Sequence, residues 1–285
     1  MQACYNIQNT QSLREKRGMV MAVQKKVALV TGGSSGIGRC VAAFLKEDCV
    51  VYEFSRRDHE AADVQHMRVD VTDEAAVQGA VERIVQKENK IDIVVNCAGF
   101  GISGAVEFTE LSDAKAQFDV NFFGMVNVNR AVIPVMRRCG GGRIVNISSV
   151  AAVAHIPFQT YYSASKAAIE SYTHALANEL KPFGITVTAA QPGDIRTGFT
   201  DARKKCAEGD DIYYGRISRS VAGMERDERK GMSPEYAGRY IAKLAMKKRV
   251  KPVYTVGIGY KCLSLLCKIL PCRLRNWIVG LLYAR

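Results

Sequence analysis

Lys26-Val27-Ala28-Leu29-Val30-Thr31-Gly32-Gly33-Ser34-Ser35-Gly36-Ile37-Gly38 reads as a short buried strand that runs into a glycine-rich turn. Val41, Phe44 and Leu45 then recur at helical spacing. Glycines at such a turn let the backbone approach a pyrophosphate, and the helix behind it aims free N–H groups and a positive dipole end at the phosphates. Glycine also serves ordinary tight turns, but the strand and helix on either side favour a nucleotide. Gly32, Ser34, Ser35, Gly36, Ile37 and Gly38 are therefore candidate cofactor contacts.

The pattern repeats outward from there. Cys49–Phe54 is a second apolar run, and it ends at Ser55-Arg56-Arg57. A basic group at the end of this strand suits the 2′-phosphate of NADP(H), whereas an acid there suits the free ribose of NAD. Ser55, Arg56 and Arg57 thus argue for NADP(H), and Glu53 argues against it if the register shifts slightly. Met67–Val69 reads as a third strand, with Asp70 and Val71 placed to meet the adenine edge. After a helix over Glu74–Asn89, the strand Ile91–Gly99 ends in small residues, and Asn96, Ala98 and Gly99 leave room for a ligand in the crevice. Gly142–Ile147 and Ile185–Ala190 are further strands, the latter followed by the loop 191–197. The alternation predicts an α/β fold: a single-domain Rossmann-type doubly wound parallel sheet with helices on both faces, over residues 23–257.

Tyr162 and Lys166 stand four residues apart at the start of an Ala-rich helical run to Leu180, so they share a face. Each unit of lowering of a tyrosine pKa takes about 1.4 kcal/mol of preference for the phenolate. A neighbouring ammonium in a closed site supplies such a preference, and Tyr162 is expected to exchange protons near neutral pH. Upstream, Asp113–Pro134 reads as one long helix with Asn121 inside it. Asparagine forms helices poorly, so local hydrogen bonding or a held water is the expected reason for it.

The 285 residues contain no repeat, linker or low-complexity stretch, which favours one domain. Nine scattered cysteines without Cys-x-x-Cys spacing point to free thiols in a reducing cytoplasm and to no metal site. Residues 1–22 read as a flexible polar extension, in which Met19 or Met21 can serve as an alternative start. The net charge of +12 is concentrated at the other end, where residues 236–285 hold eleven Lys or Arg and no acid. Within 258–285, leucines and isoleucines alternate with Lys261, Lys268, Arg273 and Arg275, and Pro271 divides the run into two amphipathic helices. Too short and too charged to span a bilayer, these helices can lie on an anionic membrane surface, cap the active site or form a dimer face. No motif for nucleic acid accompanies the charge.

Taken together, Thr31–Gly38, Asn96–Gly99, Asn121, Ser149, Tyr162, Lys166 and Pro192-Gly193 resemble the short-chain dehydrogenase/reductase family over residues 24–200. Cys97 departs from the asparagine usual there, and the family spacing of thirteen residues before the tyrosine selects Ser149 over Ser148. The resemblance implies an oxidoreductase that couples an alcohol and a carbonyl to NADP(H), with Asn121, Ser149, Tyr162 and Lys166 catalytic. In reduction Tyr162 gives its proton to the developing alkoxide, Ser149 hydrogen-bonds that oxygen, and Lys166 lowers the phenol pKa and holds the nicotinamide ribose. It also implies that Asn121 positions a relay water and that Pro192, Gly193, Ile195 and Thr197 border the nicotinamide. Homo-oligomers are frequent in the family.

Residues 98–107 and 157–162 look most like the 17-beta-hydroxysteroid and retinol dehydrogenase branch, which takes large apolar alcohols and ketones. A hydroxysteroid is the first expectation and a retinoid or lipid carbonyl the second; a non-catalytic, cofactor-sensing protein is the remote alternative. Phe100, His155, Phe158 and Gln159 are candidate substrate contacts, and the charged segment 199–232, poor in apolar periodicity, reads as a mobile substrate lid or a disordered surface insertion.

Overall fold

The computed structural model describes residues 25–59 and 61–283. The expected extension 1–22 lies outside the described residues. Seven parallel strands make the main sheet: β1 (Lys26–Thr31), β2 (Cys49–Ser55), β3 (Val64–Arg68), β4 (Ile93–Asn96), β6 (Gly142–Ile147), β7 (Ile185–Pro192) and β9 (Val253–Val256). Their order is β3-β2-β1-β4-β6-β7-β9. β5 (Ile102–Ser103) and β8 (Lys204–Lys205) form a separate two-stranded sheet.

The order reverses between β1 and β4, so the connections on either side diverge and leave a crevice at the carboxyl ends of those strands. Register brings those ends level, since Thr31 pairs with both Phe54 of β2 and Asn96 of β4. The residues just past the strands therefore share one rim.

Two apolar cores lie on the two faces. One packs Leu29, Phe54, Val94 and Ile144 of the sheet under α2 (Glu74–Glu88), α4 (Gly124–Arg138) and α5 (Thr160–Leu180). The other packs Val30, Val51, Val95 and Val145 under α1 (Gly36–Leu45) and α8 (Pro234–Met246). Each strand alternates between the two, which is why the strands read as unbroken apolar runs. Local chemistry sets the helix ends: Asp73 caps α2 by accepting from the Ala76 N–H at 2.9 Å, and Asn89 closes it in the left-handed region.

Two elements differ from expectation. The helix expected over 113–134 is α3 (Leu111–Phe118), a π-helical turn (Asp119–Phe123) and α4, which passes Pro134 and ends at Arg138. Burial of Val135 and Met136 beyond the proline offsets the hydrogen bond it removes. The segment 199–232 is ordered into α6 (Phe199–Ala202), β8 and α7 (Arg216–Arg229), and α7 buries Ile217, Ser220 and Met224 on one face. Its apolar stripe escaped notice because it is narrow and one of its three positions is a serine. The tail does form two helices, α9 (Ile258–Ile269) and α10 (Cys272–Tyr283), broken at Pro271. None of the described helices is long and apolar enough to cross a membrane.

Candidate active site

The glycine turn is shaped by contacts that a side chain would abolish. Gly36 adopts φ +53°, and a Cβ on Gly38 would overlap the Gly32 carbonyl. Ser35 caps α1 in extended conformation without a side-chain hydrogen bond, so the first N–H groups of the helix face the crevice unpaired by it. Thr197 faces this turn from across the crevice; a Cβ on Gly36 would lie 3.7 Å from its side chain. Thr31, which sequence reading passed over, fixes the rim: its hydroxyl accepts from the N–H groups of Cys97 and Ala98 at 3.1 and 3.0 Å.

The expected cofactor residues divide into those that border this cleft and those that support it. Arg56 and Arg57 are exposed at the end of β2. Ser55 is buried, its hydroxyl 3.2 Å from both Glu53 Oε1 and the Arg57 carbonyl, which holds the arginine-bearing turn. Asp70 turns its carboxylate back on Thr72, accepting from its N–H and hydroxyl, while Val71 packs against Gly124. Asn96 donates to Asn129 and Asn146 at 2.8 and 2.9 Å and so belongs to a buried polar network that braces β4. Ile195 is buried and bridged to Met232, and Gly193 lies against the Tyr260 ring.

The four catalytic candidates come from three elements: the π turn, the residues after β6, and α5. Asn121 sits in the π turn, where the Gly124 N–H reaches back to the Asp119 carbonyl and the extra residue per turn breaks the helical ladder. Its side chain grips Phe100, accepting from the N–H at 2.9 Å and donating to the carbonyl at 3.0 Å. Phe100 is thus held by its backbone at the crevice. Ser149 follows β6 in extended conformation, and its hydroxyl accepts from Ala151 N–H at 3.2 Å. Ser148 instead bonds to the Lys166 carbonyl and to Glu170, anchoring α5 to the sheet.

Tyr162 and Lys166 project from the first turns of α5. The Lys166 Nζ donates to the Ile147 carbonyl at 2.9 Å and lies 5.7 Å from the centroid of the Tyr162 ring. This corrects the expected acidity of the tyrosine. Burial pushes the Tyr162 phenol up to about 12, while the Ser149 hydroxyl beside it pulls the other way. Burial likewise lowers Lys166 to about 8. Helical spacing puts the two residues together, but enclosure drives each toward its neutral form and the ammonium is spent on a backbone carbonyl. As it stands, the tyrosine is a protonated acid at neutral pH.

On the substrate side, Phe199 of α6 lies against Tyr162 with ring centroids 5.7 Å apart, and the Arg203 guanidinium stands over Phe199 at 5.6 Å. Arg203 is buried and ion-paired with Glu228 of α7, and Thr200 donates to the same carboxylate at 2.8 Å. Gln159, with its carboxamide oxygen turned toward Arg203, accepts from Nη2 and Nε at 3.2 Å. Phe158 is buried against Ala105 and Ile217, and His155 is exposed. Two of the four expected substrate residues, Phe158 and Gln159, therefore pack against the segment 199–232. The Arg203–Glu228 pair joining α6 to α7 has no sequence signature.

The tail closes the far side. The Tyr260 hydroxyl donates to Asp194 Oδ2 at 2.7 Å and the Ser264 hydroxyl to Gln191 Oε1 at 3.0 Å, tying α9 to the end of β7 and the loop after it. Cys267 and Val279 pack with Ala154.

A glycine-rich strand–turn–helix at a switch point, beside a buried Ser–Tyr–Lys set, defines an oxidoreductase that uses a nicotinamide dinucleotide, NAD(P)(H). The chain belongs to the short-chain dehydrogenase family, whose description matches residues 26–207. It is 38% identical over 260 residues to a 3-ketodihydrosphingosine reductase of Bacteroides thetaiotaomicron, covering 90% of this chain and 94% of that one. It is also 31% identical over 264 residues to a 3-dehydrosphinganine reductase of Danio rerio, covering 85% and 75%. Among solved structures, ElxO with NADP bound superposes with a TM-score of 0.70 at 27% identity, over 84% of this chain and 100% of that one.

Proposed function

We propose that the protein is an NADPH-dependent reductase of a long-chain lipid ketone, with a 3-ketosphinganine-type sphingoid base as its substrate. The observation that carries this reading is the 38% identity, over 90% of the chain, to a protein named for that reaction. The expectation of a hydroxysteroid yields to it, since both relatives described above carry sphingoid names. The reading of NADPH over NADH rests on Arg56 and Arg57, exposed at the end of β2, with Glu53 turned away into the protein interior.

NADPH, when bound, supplies hydride to the carbonyl carbon. Gly32, Ser34, Ser35, Gly36, Ile37 and Gly38 would hold its pyrophosphate, and Pro192, Gly193, Ile195 and Thr197 would border its nicotinamide. As negative charge grows on the carbonyl oxygen, Ser149 donates a hydrogen bond to it and Tyr162 delivers its phenolic proton. A phenol at about 12 keeps that proton until the oxygen becomes a stronger base. Lys166, held by Ile147, lies beneath the tyrosine ring to meet the phenolate left behind, and Asn121 keeps Phe100 and the substrate entrance in place.

A second element of the reading concerns delivery of the lipid. The inner faces of α9 and α10 cap the site, while Ile258, Leu265, Ile269, Trp277 and Leu282 face outward among basic residues. An apolar outer face with basic flanks suits an anionic membrane surface from which the substrate is drawn.

The test is NADPH consumption with synthetic 3-ketosphinganine, an oxosteroid and retinal, with and without anionic vesicles. Turnover with the sphingoid ketone at least about tenfold above the others supports the proposal. Preference for the steroid or the aldehyde overturns it.

A further inference from the structure

Behind the glycine turn, β2, β3 and the segment joining them bring Glu53, His59 and His66 together, with one ligand atom from each within 4.8 Å of the others. The Glu53 carboxylate is fully buried, and among the described residues its ion-pair partners are the two histidines alone. Its Oε1 meets His66 Nδ1 in a hydrogen bond and stands 3.1 Å from His59 Nδ1. Its Oε2, and both ring nitrogens of His59, have no hydrogen-bond partner. A buried carboxylate without a cation is costly, and buried polar atoms are normally satisfied.

We propose that Glu53, His59 and His66 form a site for a divalent transition-metal ion of the zinc type. Two imidazoles and one carboxylate are a donor set that zinc accepts, leaving a fourth position open. His59 also lines a surface cavity of about 120 Å³, which gives the ion a path in and room for a water at that position. The surrounding shell is arranged as metal sites require. Asp58 Oδ1 lies 3.5 Å from His66 Nε2 without a hydrogen bond between them, and the Ser55 hydroxyl donates to Glu53 Oε1 at 3.2 Å. Gly33 supplies space, since a Cβ there would fall 2.7 Å from Glu53 Oε2. Arg39 and Lys46 face the same cavity, and Lys46 is paired with Asp63.

The full chain, stripped with a chelator, is titrated with Zn²⁺ against a chromophoric indicator and, separately, with Co²⁺ while its visible absorption is followed. The expected result is one tight equivalent and a d–d spectrum of nitrogen and oxygen donors without the intense near-ultraviolet thiolate band. His59→Gln and His66→Gln should each weaken binding by about a hundredfold or more while the far-ultraviolet circular dichroism of the metal-free chain stays unchanged. The histidine variants are used because Glu53 is a core position. Absence of uptake, a thiolate band, or affinity unchanged in both histidine variants overturns the site.

Discussion

The two sides of the crevice are made of different material. On the cofactor side the shape is carried by backbone: a turn that only glycine can close, an uncapped helix start and a rim held by Thr31. On the opposite side it is carried by side chains from distant segments, with the Phe199 ring tilted against Tyr162, Arg203 paired with Glu228 and Gln159 bonded to Arg203. Backbone-built surfaces bind what every member of a fold class shares, while side-chain-built ones specify one ligand and fail when a single partner is lost.

Tyr162→Phe tests the chemistry at the meeting point of the two sides. It removes the proton donor and leaves the ring that packs on Phe199, so turnover should fall about 10²- to 10⁴-fold while NADPH affinity, read by fluorescence titration, stays within about twofold. A matching loss of affinity would mean that the two sides are not separable.

Arg203→Leu strikes the side-chain-built half. It strands the Glu228 carboxylate in a largely buried position, and breaking such a pair costs about 3–5 kcal/mol. Thermal unfolding should register a clear drop, and Arg203→Leu/Glu228→Leu should recover a large part of it by removing both charges. If the single variant melts like the parent, the lid does not depend on this pair.

Arg56→Ala should act on the opposite half without touching the fold. Loss of charge-assisted hydrogen bonds to a 2′-phosphate should weaken NADPH about 10- to 100-fold and leave NADH unchanged. Equal effects on both cofactors would remove the phosphate argument.

How far each half was legible follows the same division. The strand Lys26–Thr31, the glycine turn and the Tyr162–Lys166 pair were readable because their meaning is local, set by residues within a few positions of one another. Arg203 and Glu228, or Glu53 with His59 and His66, meet across intervals that belong to no fixed motif, and only the folded sheet and lid juxtapose them. The π turn at Asn121 hid inside an otherwise helical pattern, since one extra residue does not disturb apolar spacing enough to be seen. The acidity of Tyr162 was misjudged for a further reason: spacing reports that an ammonium is near, but not that both groups are enclosed.

That enclosure has a measurable signature at Lys166. Its folded pKa of about 8 lies below the ordinary lysine value of 10.5, so between these values the unfolded chain binds more protons than the folded one. The contribution of Lys166 to stability should therefore rise with pH across that window, against the opposite trend of the thiols Cys49 and Cys97, which burial pushes up, and below it the full cost of burying the ammonium remains. Lys166→Met removes the cost together with the bond to Ile147, and should raise stability at pH 7 by roughly 1–3 kcal/mol while lowering turnover sharply. In urea melts the stability of the parent relative to this variant should rise between about pH 8 and 10.5. A variant less stable than the parent at pH 7 would show that the hydrogen bond to the Ile147 carbonyl outweighs the desolvation, and that Lys166 is a structural tie between α5 and β6 as much as a charge kept for the phenolate.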